Sequence, residues 1–483
     1  MPKIINKKYW KTKYSLFSII CVSFVMLINY LLFQEFSVDP IFLIPNFIVV
    51  ILFFALLKTF SVKLNYYSEK RFLKNIFIGS LFIRIIVMLF LYILFYNITG
   101  TSFDVEASDA VKYNEIGLQI ANQLKQGQFN FSLIFSKYNF KYDDTGYSIF
   151  VGLIYYLFAN SIIALRLIQC LIDSLSVLLI YRISKFLWNT KISRFASILS
   201  MIFPLQIFYV SVHLKETIMI FFTLVAIYYS IKLVYERFSI IKIFILIFSI
   251  VAILSLRTPL ALVLILSIIG YYVINNKKPL YYKVTLLLFF IISLYICMNY
   301  LNIYKKFESK SKRYVGIESN ETRGGRSVNL YKTRGQSFAV YASSPLLLIQ
   351  GISTPYPSMV KTNIRFYNQT LQWYHIGGLF IWVYMSYFCF VGLYYSIKYK
   401  FKENSILIFY IFGYIIALVS SLYIMSIRYN IVKLVPLLIF VAIGFYHTPK
   451  NKFKYWYIYV ILMSIIILAW NFVKLAGRGL INI

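Results

Sequence analysis

The sequence predicts an all-α protein: a polytopic transmembrane helical bundle of about 13 spans, with external juxtamembrane helices in two large loops. Three observations carry this. First, 60% of the 483 residues are hydrophobic and 13% are charged, with a mean hydropathy of +0.74; a soluble domain carries roughly 25% charged residues. Second, apolar runs long enough to cross a bilayer recur along the whole chain, and backbone groups in lipid must be satisfied within a helix. Third, Lys and Arg gather in short clusters between those runs, as cytoplasmic loops do.

The elements follow in order. Lys3, Lys7, Lys8, Lys11 and Lys13 hold the amino terminus in the cytoplasm, and the run 14–33 exits into a short loop with Glu35 and Asp39. That run is long enough to span and lacks a small-residue cleavage site, so no signal peptide is expected. A second span returns near Lys58–Lys63. Lys70, Arg71 and Lys74 mark a cytoplasmic turn, and a third span covers 76–96. A polar stretch, 99–146, follows. The next run, 147–158, is too short to cross. Reading it as a juxtamembrane helix keeps Arg182, Lys185, Lys191 and Arg194 in the cytoplasm. Further spans are expected at 162–184, 195–211, 217–234, 239–256, 258–274, 282–301, 375–396, 405–425, 429–446 and 455–473, with a second external region at 302–374.

The net charge of +33 does not indicate nucleic-acid binding, because the cations sit in inter-span clusters and form no basic groove. Cys21, Cys170, Cys297 and Cys389 all lie inside apolar runs without metal spacing, and read as packing residues.

The loop 99–146 holds six of the sixteen carboxylates: Asp104, Glu106, Asp109, Glu115, Asp143 and Asp144. Within it, 108–127 reads as an amphipathic helix. Ser108 suits an N-cap, Gly127 a C-cap, and Tyr113, Ile116, Ile120 and Leu124 form one stripe, so the helix would lie flat on the membrane. A carboxylate at its start can act as general base, or hold a divalent cation such as Mg or Mn beside a phosphate. The plainer alternative is a solvated loop whose acids complement a helix N-terminus.

A second constellation is His213-Leu-Lys-Glu216, in a turn too short to leave the membrane surface, where ionisable groups are costly. The alternative is a hairpin tip pairing its own Lys215 and Glu216. Arg257 and Arg428, the latter beside Tyr429, fall at the same level and would suit a lipid-linked phosphate; taken singly, each reads as a snorkelling residue. Arg166 and Asp173, seven apart on one span, are expected to pair with each other or with a neighbouring helix and read as structural.

The ordered series Ser108-Asp-Ala-Val-Lys-Tyr113, Gly127, Gly146-Tyr-Ser-Ile-Phe150, Ala164-Leu-Arg-Leu-Ile168, Leu179-Ile-Tyr-Arg182 and Leu214-Lys-Glu216 resembles the C-type glycosyltransferase superfamily. That superfamily includes protein O-mannosyltransferases and lipid A aminoarabinose transferases. The resemblance runs from about residue 76 to 235, with looser support to Asn430. It implies transfer of a sugar from a polyprenyl-phosphate-linked donor to a glycan, lipid or protein acceptor at the extracytoplasmic face of a bacterial inner membrane. Asp109 takes the place of the family's first-loop acid, with Asp104 in reserve, and Glu216 that of the later external carboxylate. Many members carry adjacent Asp-Glu in that loop, whereas Asp104, Glu106 and Asp109 are spaced. Two spans precede the family's usual first one.

The expected organisation is therefore two additional N-terminal helices (1–75), a transferase-like core (76–301), an external loop (302–374) and C-terminal spans (375–483). Asp109, Asp104 and Glu216 are the expected catalytic residues. Lys215, Arg257, Arg428 and Tyr429 are expected at the donor phosphate, and Glu106, Tyr113, His213 and Arg326 near substrate. The basic stretch from Arg313 through Arg323, Arg326 and Arg334 keeps open a lipid-linked repeat-unit polymerase or ligase. A lipid-linked oligosaccharide transporter is the non-enzyme alternative, which would call for inverted repeats and midplane polar sites.

Overall fold

A computed structural model describes residues 9–104, 108–128, 145–276, 350–361, 375–420 and 426–476. These residues form a helical bundle without strands; a single isolated bridge joins Ser37 to Val360. Nine of the helices are long and apolar enough to cross a membrane, or ten when the bent pair below counts as one span. The protein is thus a multi-pass membrane protein.

Helices α1 (Thr12–Leu32) and α2 (Pro40–Lys63) form an opening hairpin, and α2 starts on Pro40, whose missing N–H costs nothing there. The third helix, α3 (Glu69–Thr99), ends on Gly100 in the left-handed conformation. Next come the amphipathic α4 (Ser108–Lys125) and the short α5 (Thr145–Leu157). At 13 residues α5 rises only about 20 Å, too little for a hydrocarbon core of about 30 Å. Ser161 caps α6 (Ile162–Leu187) by accepting from the Ala164 N–H. Asn189 caps α7 (Thr190–Ile202) in the same way, and Pro204 opens α8 (Pro204–Ser211) at a bend of 48°.

The chain continues through α9 (Glu216–Tyr235), α10 (Ile240–Leu256) and α11 (Thr258–Asn275). The expected spans 375–396 and 405–425 are joined as α12 (Ile376–Ser420), broken at Lys400, where φ is −143°. A straight helix of that length would run about 67 Å, twice the membrane's apolar thickness. The break lets the chain turn back among the lysines at 398–402 instead. Last are α13 (Ile427–His447) and α14 (Phe453–Ala476). The expected span 282–301 lies outside the described residues, and α10 has 17 residues.

The bundle has two chemically distinct ends. At the basic end, Lys185 pairs with Glu69 at 2.5 Å, Arg194 donates to the Tyr67 carbonyl, and Lys400 donates to the Leu187 carbonyl. The N-termini of α6, α9 and α13 all lie at the opposite end. Two features hold the frame. Inside the bundle, Arg84 of α3 meets Asp173 of α6 at 2.5 Å, and Asp173 also accepts from Gln206 of α8. The two N-terminal helices lean on the C-terminal ones through Trp10, which is wedged among Phe54, Phe388, Phe445 and Trp456.

Candidate active site

Three residues remote in sequence meet at the end opposite the lysine clusters. Arg428, in the first turn of α13, donates from Nε to Glu216 Oε1 at 2.6 Å and from Nη1 to Asp109 Oδ2 at 2.5 Å. Local physics accounts for each position. Asp109 and Glu216 sit in the first turns of α4 and α9, where free N–H groups and the helix dipole favour a carboxylate. Arg428 sits at the N-terminus of its helix, against the dipole, and the two acids offset that placement. The carboxylates differ sharply in setting. Glu216 is fully buried, whereas the Asp109 side chain is 51% exposed. The arrangement therefore has a sealed floor and an acid facing outward, bridged by one guanidinium.

Two further expected cations converge here. Lys215 is buried and donates to the Leu256 carbonyl at 2.6 Å, meeting one of the orphan carbonyls at the C-terminal end of α10. Arg257 lies between α10 and α11, its guanidinium stacked 4.1 Å from the centre of the Tyr429 ring. The fields of Arg428, Arg257 and Lys215 all act on the Glu216 carboxylate. The turn at 213–216 is not simply a self-paired tip: Lys215 reaches α10 and Glu216 reaches α13.

Behind this group lies an aromatic and polar layer. Tyr113 packs edge-on against Tyr147 at 4.9 Å, and Tyr147 packs edge-on against His213 at 5.6 Å. Phe103 also packs edge-on against His213, at 5.8 Å. The Gln169 amide donates to the Tyr147 hydroxyl and to the Leu214 carbonyl. Burial, with the nearby Arg166 charge second, pushes the His213 imidazole down to about 3. Burial likewise holds the Tyr147 phenol well above its usual range, so both stay neutral.

The amphipathic stripe of α4 is covered by α5 rather than turned to lipid. Gly117 lies against Val151, and Gly152 against Ile120, so close that a Cβ on either glycine would collide. The lipid-like face belongs to α5, through exposed Leu153, Tyr156, Leu157 and Phe158 around its end.

Asp104 is half-buried just before α4, and the carboxylate partners of Arg428 among the described residues are Asp109 and Glu216. Arg166 and Asp173 do not pair with each other. Asp173 takes Arg84 from the neighbouring helix, while Arg166 reaches the Ser102 carbonyl at 2.5 Å and stands over the Tyr92 ring. The sequence reading passed over Arg84 and Lys433, both buried; Lys433 donates to the Gly351 carbonyl. An ionisable residue inside an apolar run was the signal for each. Glu106, Asp143, Asp144, Arg313, Arg323, Arg326 and Arg334 lie outside the described residues. Among the described residues no three His, Cys, Asp or Glu side chains cluster as metal ligands, and a guanidinium fills the space between Asp109 and Glu216.

Residues 146–301 match the model of the dolichyl-phosphate-mannose-protein mannosyltransferase family. The matched segment opens at Gly146 in α5 and takes in Arg166, His213, Lys215, Glu216 and Arg257; Asp109 and Arg428 lie outside it. No curated protein matches the chain. The similarity falls on the stretch where the motif series Gly146–Phe150, Ala164–Ile168, Leu179–Arg182 and Leu214–Glu216 lies, and over that stretch the chain is similar to membrane glycosyltransferases of the C type.

Proposed function

We propose that the protein transfers a sugar from a polyprenyl-phosphate-linked donor to an acceptor hydroxyl at the extracytoplasmic face, in the synthesis of a cell-surface polysaccharide or glycoconjugate. The observation that carries this reading is the meeting of Asp109, Glu216 and Arg428 beside Lys215 and Arg257. A lipid-anchored donor needs cations for its phosphate at one end of the bundle, and the acceptor needs a base it can reach.

In this mechanism the acceptor oxygen attacks the anomeric carbon as the bond from that carbon to the phosphate oxygen breaks. The phosphate leaves with the bonding pair, the acceptor proton passes to Asp109, and the anomeric configuration inverts. Asp109 suits the role of base because it is the exposed member of the pair. Arg257, its guanidinium plane fixed on Tyr429, offers donor edges to phosphate oxygens, and Lys215 adds a point charge. Arg428 adds charge to the leaving phosphate and aims Asp109, and Glu216 fixes Arg428. A divalent cation remains compatible with this chemistry, which does not depend on one. With the basic end in the cytoplasm, the site faces outward.

The test is transfer in membranes from radiolabelled polyprenyl-phosphate sugars. Asp109→Asn is expected to lower turnover at least 100-fold with donor affinity little changed, and Arg257→Ala to weaken donor binding. Full activity in both Asp109→Asn and Glu216→Gln would sink the assignment.

A further inference from the structure

Buried polar atoms in proteins nearly always have partners. Beside the Asp109–Arg428–Glu216 group stands a cluster that breaks this rule. Both ring nitrogens of His213, Nε and Nη1 of Arg166, Oε1 of Gln169 and Oε2 of Glu216 are sealed from solvent, and no hydrogen-bond partner meets them among the described residues. All four residues are at most 1% exposed. Arg166 and Gln169 lie three apart on α6 and so share a face. The Arg166 charge acts on His213, and both Arg166 and Glu216 act on Tyr147, which ties the four into one neighbourhood.

An orphan in this setting costs about 1–3 kcal/mol, so six of them in one neighbourhood point to a ligand that satisfies them. Their signs identify its class. Arg166 presents two donor nitrogens, and neutral His213 one donor and one acceptor. Gln169 and Glu216 present acceptors. A phosphate only accepts; it would leave the Gln169 and Glu216 oxygens unmet and be repelled by Glu216. The hydroxyls of a sugar ring each donate and accept, and the rings of Phe103 and Tyr147 supply the apolar walls a sugar's C–H faces prefer.

We infer that Arg166, Gln169 and His213, with the inner oxygen of Glu216, form the subsite that binds the hydroxyls of the donor's sugar ring. This deepens the proposed function and rests on it: the cations Lys215 and Arg257 take the phosphate, and this cluster reads the sugar.

His213→Phe tests it cleanly, since the ring contacts with Phe103 and Tyr147 survive and only the two orphan nitrogens are lost. The full-length protein in nanodiscs is titrated with bare polyprenyl phosphate and with the same lipid carrying mannose, glucose, galactose or N-acetylglucosamine. Wild type should bind at least one sugar-bearing lipid about tenfold or more tighter than the bare one. His213→Phe should lose most of that difference while binding the bare lipid unchanged. His213→Gln, which keeps a donor and an acceptor, should retain it within about threefold. These sizes follow from one or two hydrogen bonds at about 1 kcal/mol each. Equal binding of bare and sugar-bearing lipids by wild type, or sugar preference unaltered in His213→Phe, overturns the inference and leaves the donor reading standing. Failure of wild type to bind any of the five lipids overturns the donor reading itself, and the subsite with it. Melting temperature monitors folding, and a His213→Phe protein that does not fold is replaced by His213→Leu, judged by the same criteria.

Discussion

Arg428 is bonded by two acids of unequal depth, and that inequality decides what its removal does. Asp109 is half in solvent and can be rehydrated; Glu216 cannot. Arg428→Met should therefore destabilise the protein by about 3 kcal/mol, because it strands a buried carboxylate. Adding Glu216→Gln should recover much of the melting temperature without recovering transfer, which separates the structural share of the contact from the chemical one. His213 gives a second residue-scale expectation. Its folded pKa of about 3 lies below the ordinary value near 6.5, so the unfolded chain binds the extra proton between those limits. The resulting stability is complete above about pH 6.5 and is lost as pH falls toward 3. Melts at pH 7 and pH 4.5 should show wild type losing about 2 kcal/mol relative to His213→Phe; parallel losses would contradict the burial of a neutral imidazole. Single residues were the most legible level of the sequence. Asp109, Lys215, Glu216, Arg257 and Arg428 stand out because charges are rare in so apolar a chain. Their pairing was not legible: Glu216 and Arg428 are 212 residues apart, and nothing local in either motif names the other. Arg166 and Asp173 show the converse. Seven residues on one helix suggest a pair, yet that spacing is about 10 Å along the axis, and each finds its partner in another segment.

Among elements, α4 and α5 matter most, because they carry Asp109 over the end of the bundle. They meet through Gly117 and Gly152, with Val151 and Ile120 seated where a Cβ would be. A second close approach, Gly146 against Ser255, fixes the start of α5 to the end of α10 beside Arg257. Gly152→Ala should push α4 outward and misplace Asp109, lowering turnover about tenfold or more while the transmembrane helices stay folded; misplacement near 1 Å is costly for catalysis. Pairing it with Ile120→Gly, which removes both the Cγ2 and the Cβ that the added methyl would meet, should restore part of the activity. If Gly152→Ala behaves as wild type, the α4–α5 contact does not set the position of the acid. The sequence made α4 visible through its stripe and α5 through its shortness. It hid their mutual packing, since an apolar stripe on a surface helix looks the same whether lipid or another helix covers it.

At the level of the whole molecule, the described residues include a buried ion pair that has no part in the proposed chemistry. Arg84 and Asp173 join α3 to α6, and Arg84 also donates to the carbonyls of Met201 and Ser200, where α7 bends toward α8. It thus ties α3 to the bend of the pair of helices that delivers His213, Lys215 and Glu216 to the site. Both side chains are essentially unexposed. Charges so placed are expensive in an apolar environment, and their attraction repays that cost only while both are present. Arg84→Met alone should leave Asp173 uncompensated and reduce folded yield sharply, with a stability loss of about 3–5 kcal/mol. The double variant Arg84→Met with Asp173→Leu removes both charges. It should return to a folded yield near wild type, since well-packed apolar replacements of buried pairs are often neutral or stabilising. What the double variant does to transfer then separates two roles for the pair. Retained turnover means that helix packing alone sets the bend, and the ion pair only satisfies itself. A folded double variant with a donor KM raised several-fold and kcat unchanged means that the pair sets the register of the 213–216 turn. Neither outcome is expected from a single variant, where unfolding would mask both.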